Sequence, residues 1–154
     1  MSNPIIDNIR LSLGRTFQTP LRPRPAIYMP RLSESMDTEI NRFLDEIKKL
    51  SGIGQQLSST GLFEALKTLV VEQNIRKVTV WNTSYLNQIQ ITNYLSSIGV
   101  ELISPNANKH EIAQCDLGIT EADFLLPETG TLVLRSSSEK PRAVSLVPRI
   151  HLAI

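Results

Sequence analysis

The densest group of chemically capable residues lies in two short segments, Gly118-Ile119-Thr120-Glu121-Ala122-Asp123 and Pro127-Glu128-Thr129-Gly130-Thr131. They carry three carboxylates, Glu121, Asp123 and Glu128, with the hydroxyls of Thr129 and Thr131 on either side of Gly130. Glycine lets backbone approach a ligand or adopt positive φ. A desolvated carboxylate on a tight turn can act as nucleophile or general base, so Glu128 is the catalytic candidate. The plainer reading, that Glu128 only accepts hydrogen bonds from its own turn, has equal weight. Glu121, Asp123, Thr129, Gly130 and Thr131 are the candidate ligand-binding residues around it. Lys140 and Arg142, with Arg149 beyond them, could hold a carboxylate or phosphate, although a solvated hairpin rim is the favoured role for these cations.

Other chemistries find no motif. The chain has one cysteine, Cys115, and two histidines, His110 and His151, which no local pattern brings together. A small buried thiol is therefore expected rather than a Cys–His pair. CxxC, HExxH, a Walker A loop and GxGxxG are all missing, and Gly52-Ile53-Gly54 is too short for a dinucleotide fingerprint. No metal, iron–sulfur or nucleotide cofactor is expected.

These residues need a scaffold, and the hydrophobic pattern supplies one. Ile5, Ile6, Ile9 and Leu13 recur at helical spacing, so residues 4–13 read as a short amphipathic helix stopped by Gly14. Pro20, Pro23, Pro25 and Pro30, interleaved with arginines, follow as an extended arm, because proline fixes φ and removes amide donors. From Ser35, Met36, Ile40, Phe43, Leu44, Ile47 and Leu50 form the stripe of a core-facing helix. Ser35 is its cap and its charges match the helix dipole.

Strand and helix then alternate. The strands are a weak one at residues 53–57, a stronger one at 77–81, and others at 100–103 and 116–120. Between them run helices marked by Leu62 to Val70, by Leu86 to Ile98, and near residues 108–113. Such alternation is the signature of a parallel sheet with right-handed crossovers. After Thr120 the apolar runs at 123–126, 131–135 and 143–147 are too closely spaced for helical crossovers, so antiparallel hairpins are expected. The expected fold is a three-layer α/β/α domain with a mostly parallel sheet. An arm occupies residues 1–34 and the α/β domain residues 35–154. Ligands in open parallel sheets bind beyond the carboxyl ends of the strands. Those positions here are polar: 58–60, 82–84, Ser104, Asn106, Thr120, Glu121 and Asp123. Helix capping accounts for the neutral ones.

The chain has 154 residues, enough for one domain that buries roughly 68–70% of its unfolded surface. Sixteen basic against fifteen acidic residues point to neither nucleic acid nor an anionic membrane as partner. With no signal sequence and no long apolar run, a cytoplasmic location is expected.

The run "LGITEADFLLPETGTLVLRSS" from Leu117 to Ser137, followed by "RAVSLVPRIHLAI" from Arg142 to Ile154, resembles the LUD domain of the lactate-utilisation protein C family. "IRKVTVWN" from Ile75 to Asn82 and "IRLSLGR" from Ile9 to Arg15 stand in the order that family shows. The resemblance implies a fold of the NagB/RpiA/CoA transferase-like group. It also implies a role in oxidising L-lactate to pyruvate, as the cluster-free accessory subunit beside iron–sulfur partner proteins. It carries Glu121, Asp123, Glu128, Thr129, Gly130 and Thr131 over as motif positions without assigning catalysis to any. The alternative is an enzyme of the CoA-transferase or 5-formyltetrahydrofolate cyclo-ligase type that uses Glu128. Family members continue with further strand and helix and a Gly-Pro-Ser stretch followed by Thr-x-Asp. A domain incomplete at its C-terminus relative to the family, or completed by a partner chain, is therefore expected.

Overall fold

The computed structural model describes residues 4–15 and 34–154. By internal contacts the chain divides into two compact units, residues 1–33 and 34–154. In the first, α1 (Pro4–Ser12) carries an Asp7–Arg10 ion pair of 3.5 Å and buries none of its residues. Gly14 follows at φ 61°, a left-handed stop that glycine adopts without strain. The proline- and arginine-rich arm expected next lies outside the described residues.

The second unit opens with α2 (Met36–Lys49). Ser35 caps it by accepting from the Thr38 amide, and Asp37, Glu39, Lys48 and Lys49 are placed as the dipole favours. Phe43 is its buried residue. α3 (Ser59–Glu72), capped by Ser58, buries Leu66 and Val70. Residues 53–57 between them form no strand, contrary to expectation. Gly52 and Gly54 turn the chain back against Ile47 and Leu44 of α2, and no strand offers these residues a ladder.

β1 (Lys77–Val80), β2 (Glu101–Ile103), β3 (Leu117–Thr120) and β6 (Ile150–Ala153) form one sheet in the order β2-β1-β3-β6. Every pairing is parallel, with Thr79 beside Ile103 and Gly118, and Gly118 beside His151. All four residues of β3 are buried, so both faces of the sheet are covered, as parallel sheets require. The core gathers Val78, Val80, Leu117 and Ile119 of the sheet with Leu66, Leu95 and Val144 of the helices. The fold is thus mixed α/β with a parallel central sheet, as the alternating pattern implied.

The helix expected across Leu86 to Ile98 is two, α4 (Ser84–Gln88) and α5 (Ile91–Ser97), separated by Gln90 in the left-handed conformation at φ 55°. In one straight helix Leu86 and Leu95 would point about 180° apart. The break lets both bury, at 1% and 0% exposure. α6 (Lys109–Ile112) is held by a reciprocal capping box between Asn108 and Glu111.

One antiparallel hairpin follows β3, made by β4 (Phe124–Leu126) and β5 (Thr131–Val133). The last expected hairpin strand, residues 143–147, is instead the helical turn α7 (Ala143–Leu146). Only Val144 in it is fully buried while Leu146 is 76% exposed, a pattern that a single helical turn satisfies. Apolar runs this short do not distinguish strand from helix. Among the described residues no helix is long and apolar enough to cross a membrane.

Candidate functional site

β3 delivers the first acidic segment to the carboxyl edge of the sheet. Thr120 ends the strand fully buried, and its hydroxyl lies 2.8 Å from His151 Nε2 on β6. Glu121, partly buried, follows at the rim. The chain is pinned there by Ala122 donating to the Ile154 carbonyl at 3.0 Å.

Asp123 is committed to a cation cluster. Its Oδ2 accepts from the Arg135 amide at 2.7 Å, and its Oδ1 lies 3.0 Å from both Arg135 Nε and Nη2 and 3.5 Å from Lys140 Nζ. The Arg135 amide, then its guanidinium, with the charge of Lys140, hold this carboxyl below the ordinary carboxylate value. Lys140 also lies 5.5 Å from the centre of the Trp81 ring, whose Nε1 donates to the Pro141 carbonyl at 3.0 Å. The cluster thus ties the hairpin and the loop after it to the end of β1.

Glu128 occupies the turn of the hairpin and is exposed. Arg42 on α2, whose charged guanidinium is favoured chiefly by its bond to Glu34, also feels the charges of Glu39 and, last, Glu128. Thr129 and Thr131 share a hydroxyl–hydroxyl hydrogen bond of 2.8 Å across Gly130. Gly130 is at φ 60°, and a Cβ there would stand 3.0 Å from Glu46 Cβ and from the Ile47 amide. The turn therefore packs tightly on α2, which gives Gly130 a structural reason to be glycine. Arg142 donates from Nε to Ser136 Oγ at 3.2 Å. Arg149 donates to the Gln73 carbonyl at 3.0 Å.

Asp123 and Lys140 thus gather near the end of β1 and Glu128 to Thr131 against α2, while Glu121 follows β3 and Arg142 stands against Ser136. None of them lines the open cleft of about 450 Å³ beyond the carboxyl ends of β1 and β2. Asn82, Asn87, Thr92, Ser104 and Asn106 provide the polar lining of that cleft. Three of these stand at strand-end positions whose polarity helix capping was expected to explain. Capping in fact falls to Thr83, which accepts from the Leu86 amide. Asn87 and Thr92, on the two short helices, carried no sequence signal. Cys115 is 3% exposed, and burial raises its thiol above its usual pKa.

The family model of the LUD domain matches residues 38–154. The chain belongs to the LUD domain family. Lactate utilization protein C of Halalkalibacterium halodurans is 30% identical over 157 aligned residues, which cover 97% of this chain and 68% of that protein. The protein of the same name from Shouchella clausii is 29% identical, covering 97% and 69%. That of Bacillus subtilis is 31% identical over 108 residues, 64% of this chain and 45% of that protein. A crystal structure of a DUF162 family protein from Deinococcus radiodurans superposes with a TM-score of 0.33 at 18% identity, over 64% of this chain and 70% of that one. In this LUD domain the motif Thr-Glu-Ala-Asp closes β3 and the motif Glu-Thr-Gly-Thr forms the hairpin turn.

Proposed function

We infer that this LUD domain serves lactate utilisation, as an accessory subunit without a cluster of its own in the oxidation of L-lactate to pyruvate. The observation that carries the reading is the alignment of 97% of the chain with Lactate utilization protein C. Chemistry supports the accessory role. The oxidation releases two electrons, and an iron–sulfur cluster that receives them needs about four cysteine thiolates. This chain offers one, and it is buried. Iron–sulfur partner proteins would supply the rest. The same reading puts the assembly in the cytoplasm, where a thiol stays reduced.

A small anionic metabolite, if this subunit contacts one, would meet Arg142 before Lys140. Lys140 is already paired with Asp123, whereas Arg142 makes its hydrogen bond through Nε to a neutral serine. Glu121, Asp123, Thr129, Gly130 and Thr131 are the other residues proposed for ligand contact. The competing reading is an enzyme of the CoA-transferase or 5-formyltetrahydrofolate cyclo-ligase type that uses Glu128. It is weakened by the exposure of that side chain, since a carboxylate nucleophile works desolvated.

Deletion of the gene combined with affinity purification of the tagged chain tests the proposal. Lost growth on L-lactate and co-elution with iron–sulfur proteins are the expected results. Unimpaired growth together with elution of the chain alone would refute it. A covalent adduct on Glu128 after incubation with acyl-CoA donors would shift the reading to the enzyme.

A further inference from the structure

The cleft beyond β1 and β2 has a chemistry unlike that of the hairpin. Among the described residues none of the groups lining it carries a charge. Val80, Trp81, Leu102, Ile103 and Pro105 supply its apolar lining, and Asn82, Asn87, Thr92, Ser104 and Asn106 its polar lining. Its volume of about 450 Å³ falls within the range typical of small-molecule sites. A carboxylate such as lactate would meet no lining cation there and would be held only by neutral donors.

One pair of side chains gives the cleft directionality. Asn87 Nδ2 donates to Asn82 Oδ1 at 2.8 Å. An asparagine amide offers two donor hydrogens and one acceptor oxygen. The bond uses the Asn82 oxygen and one Asn87 hydrogen, and leaves Asn82 Nδ2 as a donor and Asn87 Oδ1 as an acceptor. Neither atom has another partner among the described residues. A donor and an acceptor from one bonded pair in the cleft lining complement a ligand edge that presents both an acceptor and a donor. A ring nitrogen beside an exocyclic amino group, or a ring carbonyl beside an N–H, is such an edge. Across the cleft, the Ser104 hydroxyl accepts from the Asn106 amide at 3.3 Å and keeps its own hydrogen for donation. The place agrees with the general rule that open parallel sheets bind ligands beyond their strand carboxyl ends.

The geometry points to a binding site for an uncharged, nucleobase-bearing ligand in this cleft. Asn82 and Asn87 read the base edge, Leu102 and Pro105 lie along the ring, and Ser104 and Asn106 meet the hydroxyls of an attached sugar. This inference does not rest on the lactate reading, and its test does not use growth on lactate.

Titration of the ¹⁵N-labelled full chain with adenosine, followed by two-dimensional NMR, is the experiment. Saturable shifts of the Asn82 and Asn87 side-chain amides are expected, with L-lactate at equal concentrations leaving them unmoved. Asn87→Leu, at an exposed position, removes the acceptor and is expected to weaken adenosine binding about tenfold. The backbone amides of β3 report whether that variant keeps its fold, and Asn82→Leu provides a second version of the same test. Adenosine that moves no cleft resonance up to its solubility limit would overturn the proposal. So would lactate moving these amides as far as adenosine does, or undiminished adenosine binding in both folded variants.

Discussion

Gly118 on β3 lies directly against the carbonyl oxygen of Val144 on α7, so closely that a side-chain carbon at position 118 would overlap it. The hydrogen in place of a side chain is what lets the helical turn rest on the sheet. Gly118→Ala must push α7 away or bend β3, at a cost of about 3 kcal/mol. Gly99 offers the contrast, because a Cβ there meets nothing within 4 Å and only its φ of 84° is strained. Gly99→Ala should therefore cost only about 1 kcal/mol. Urea unfolding followed by the fluorescence of the single tryptophan checks both values.

Asp116 predicts a loss of stability in acid. Its Oδ2 accepts from the Arg76 and Lys77 amides at 2.8 and 3.1 Å, which holds this carboxyl below its ordinary 3.8. A carboxyl whose folded pKa is depressed stabilises the fold fully above the unfolded value and loses that contribution as pH falls through the folded one. Asp116→Ala should cost about 2 kcal/mol near neutrality, and the difference from wild type should shrink as pH drops below 3.8. Denaturation curves across that interval measure it.

His151 acts at a higher pH. Burial lowers its pKa from the ordinary 6.5. Below 6.5 the unfolded chain therefore takes up a proton that the folded chain resists, and stability falls with pH. A titration of the imidazole by NMR should show a midpoint below 6.5. His151→Gln should flatten the dependence of melting temperature on pH between neutrality and mild acid.

Trp81 is 1% exposed and its indole donates to the Pro141 carbonyl. Trp81→Phe leaves that carbonyl without its donor and opens space beside Lys140, at a cost of about 2 kcal/mol. Thermal melts by circular dichroism provide the measurement, since the variant has lost its fluorophore.

How much the sequence discloses differs from element to element. β1 was legible because Val78, Thr79, Val80 and Trp81 are all β-formers. α2 was legible because its apolar period, its Ser35 cap and its end charges agree. α7 was not, since Val144 is its single buried residue and one residue has no period. Nor was the break at Gln90, because Leu86 to Ile98 is apolar enough for one helix and only the burial of both Leu86 and Leu95 requires two. The motif residues Glu121 to Thr131 stood out by composition, yet their partners, Arg135, Lys140 and α2, depend on turns that no local pattern encodes. The cleft was the least visible, for Asn82 and Ser104 become neighbours only through the pairing of β1 with β2.

The position of β3 in the ladder has a kinetic consequence. It is flanked by β1 and β6, with Leu117 paired to Val78 on one side and to Ile150 on the other. Such contacts between distant parts of the chain make for slow closure. During synthesis the ladder can be completed only after Ile150 to Ala153 have left the ribosome. Until then β3 presents an open row of amides and carbonyls, and nascent chains that stall at this stage are the ones most prone to join one another.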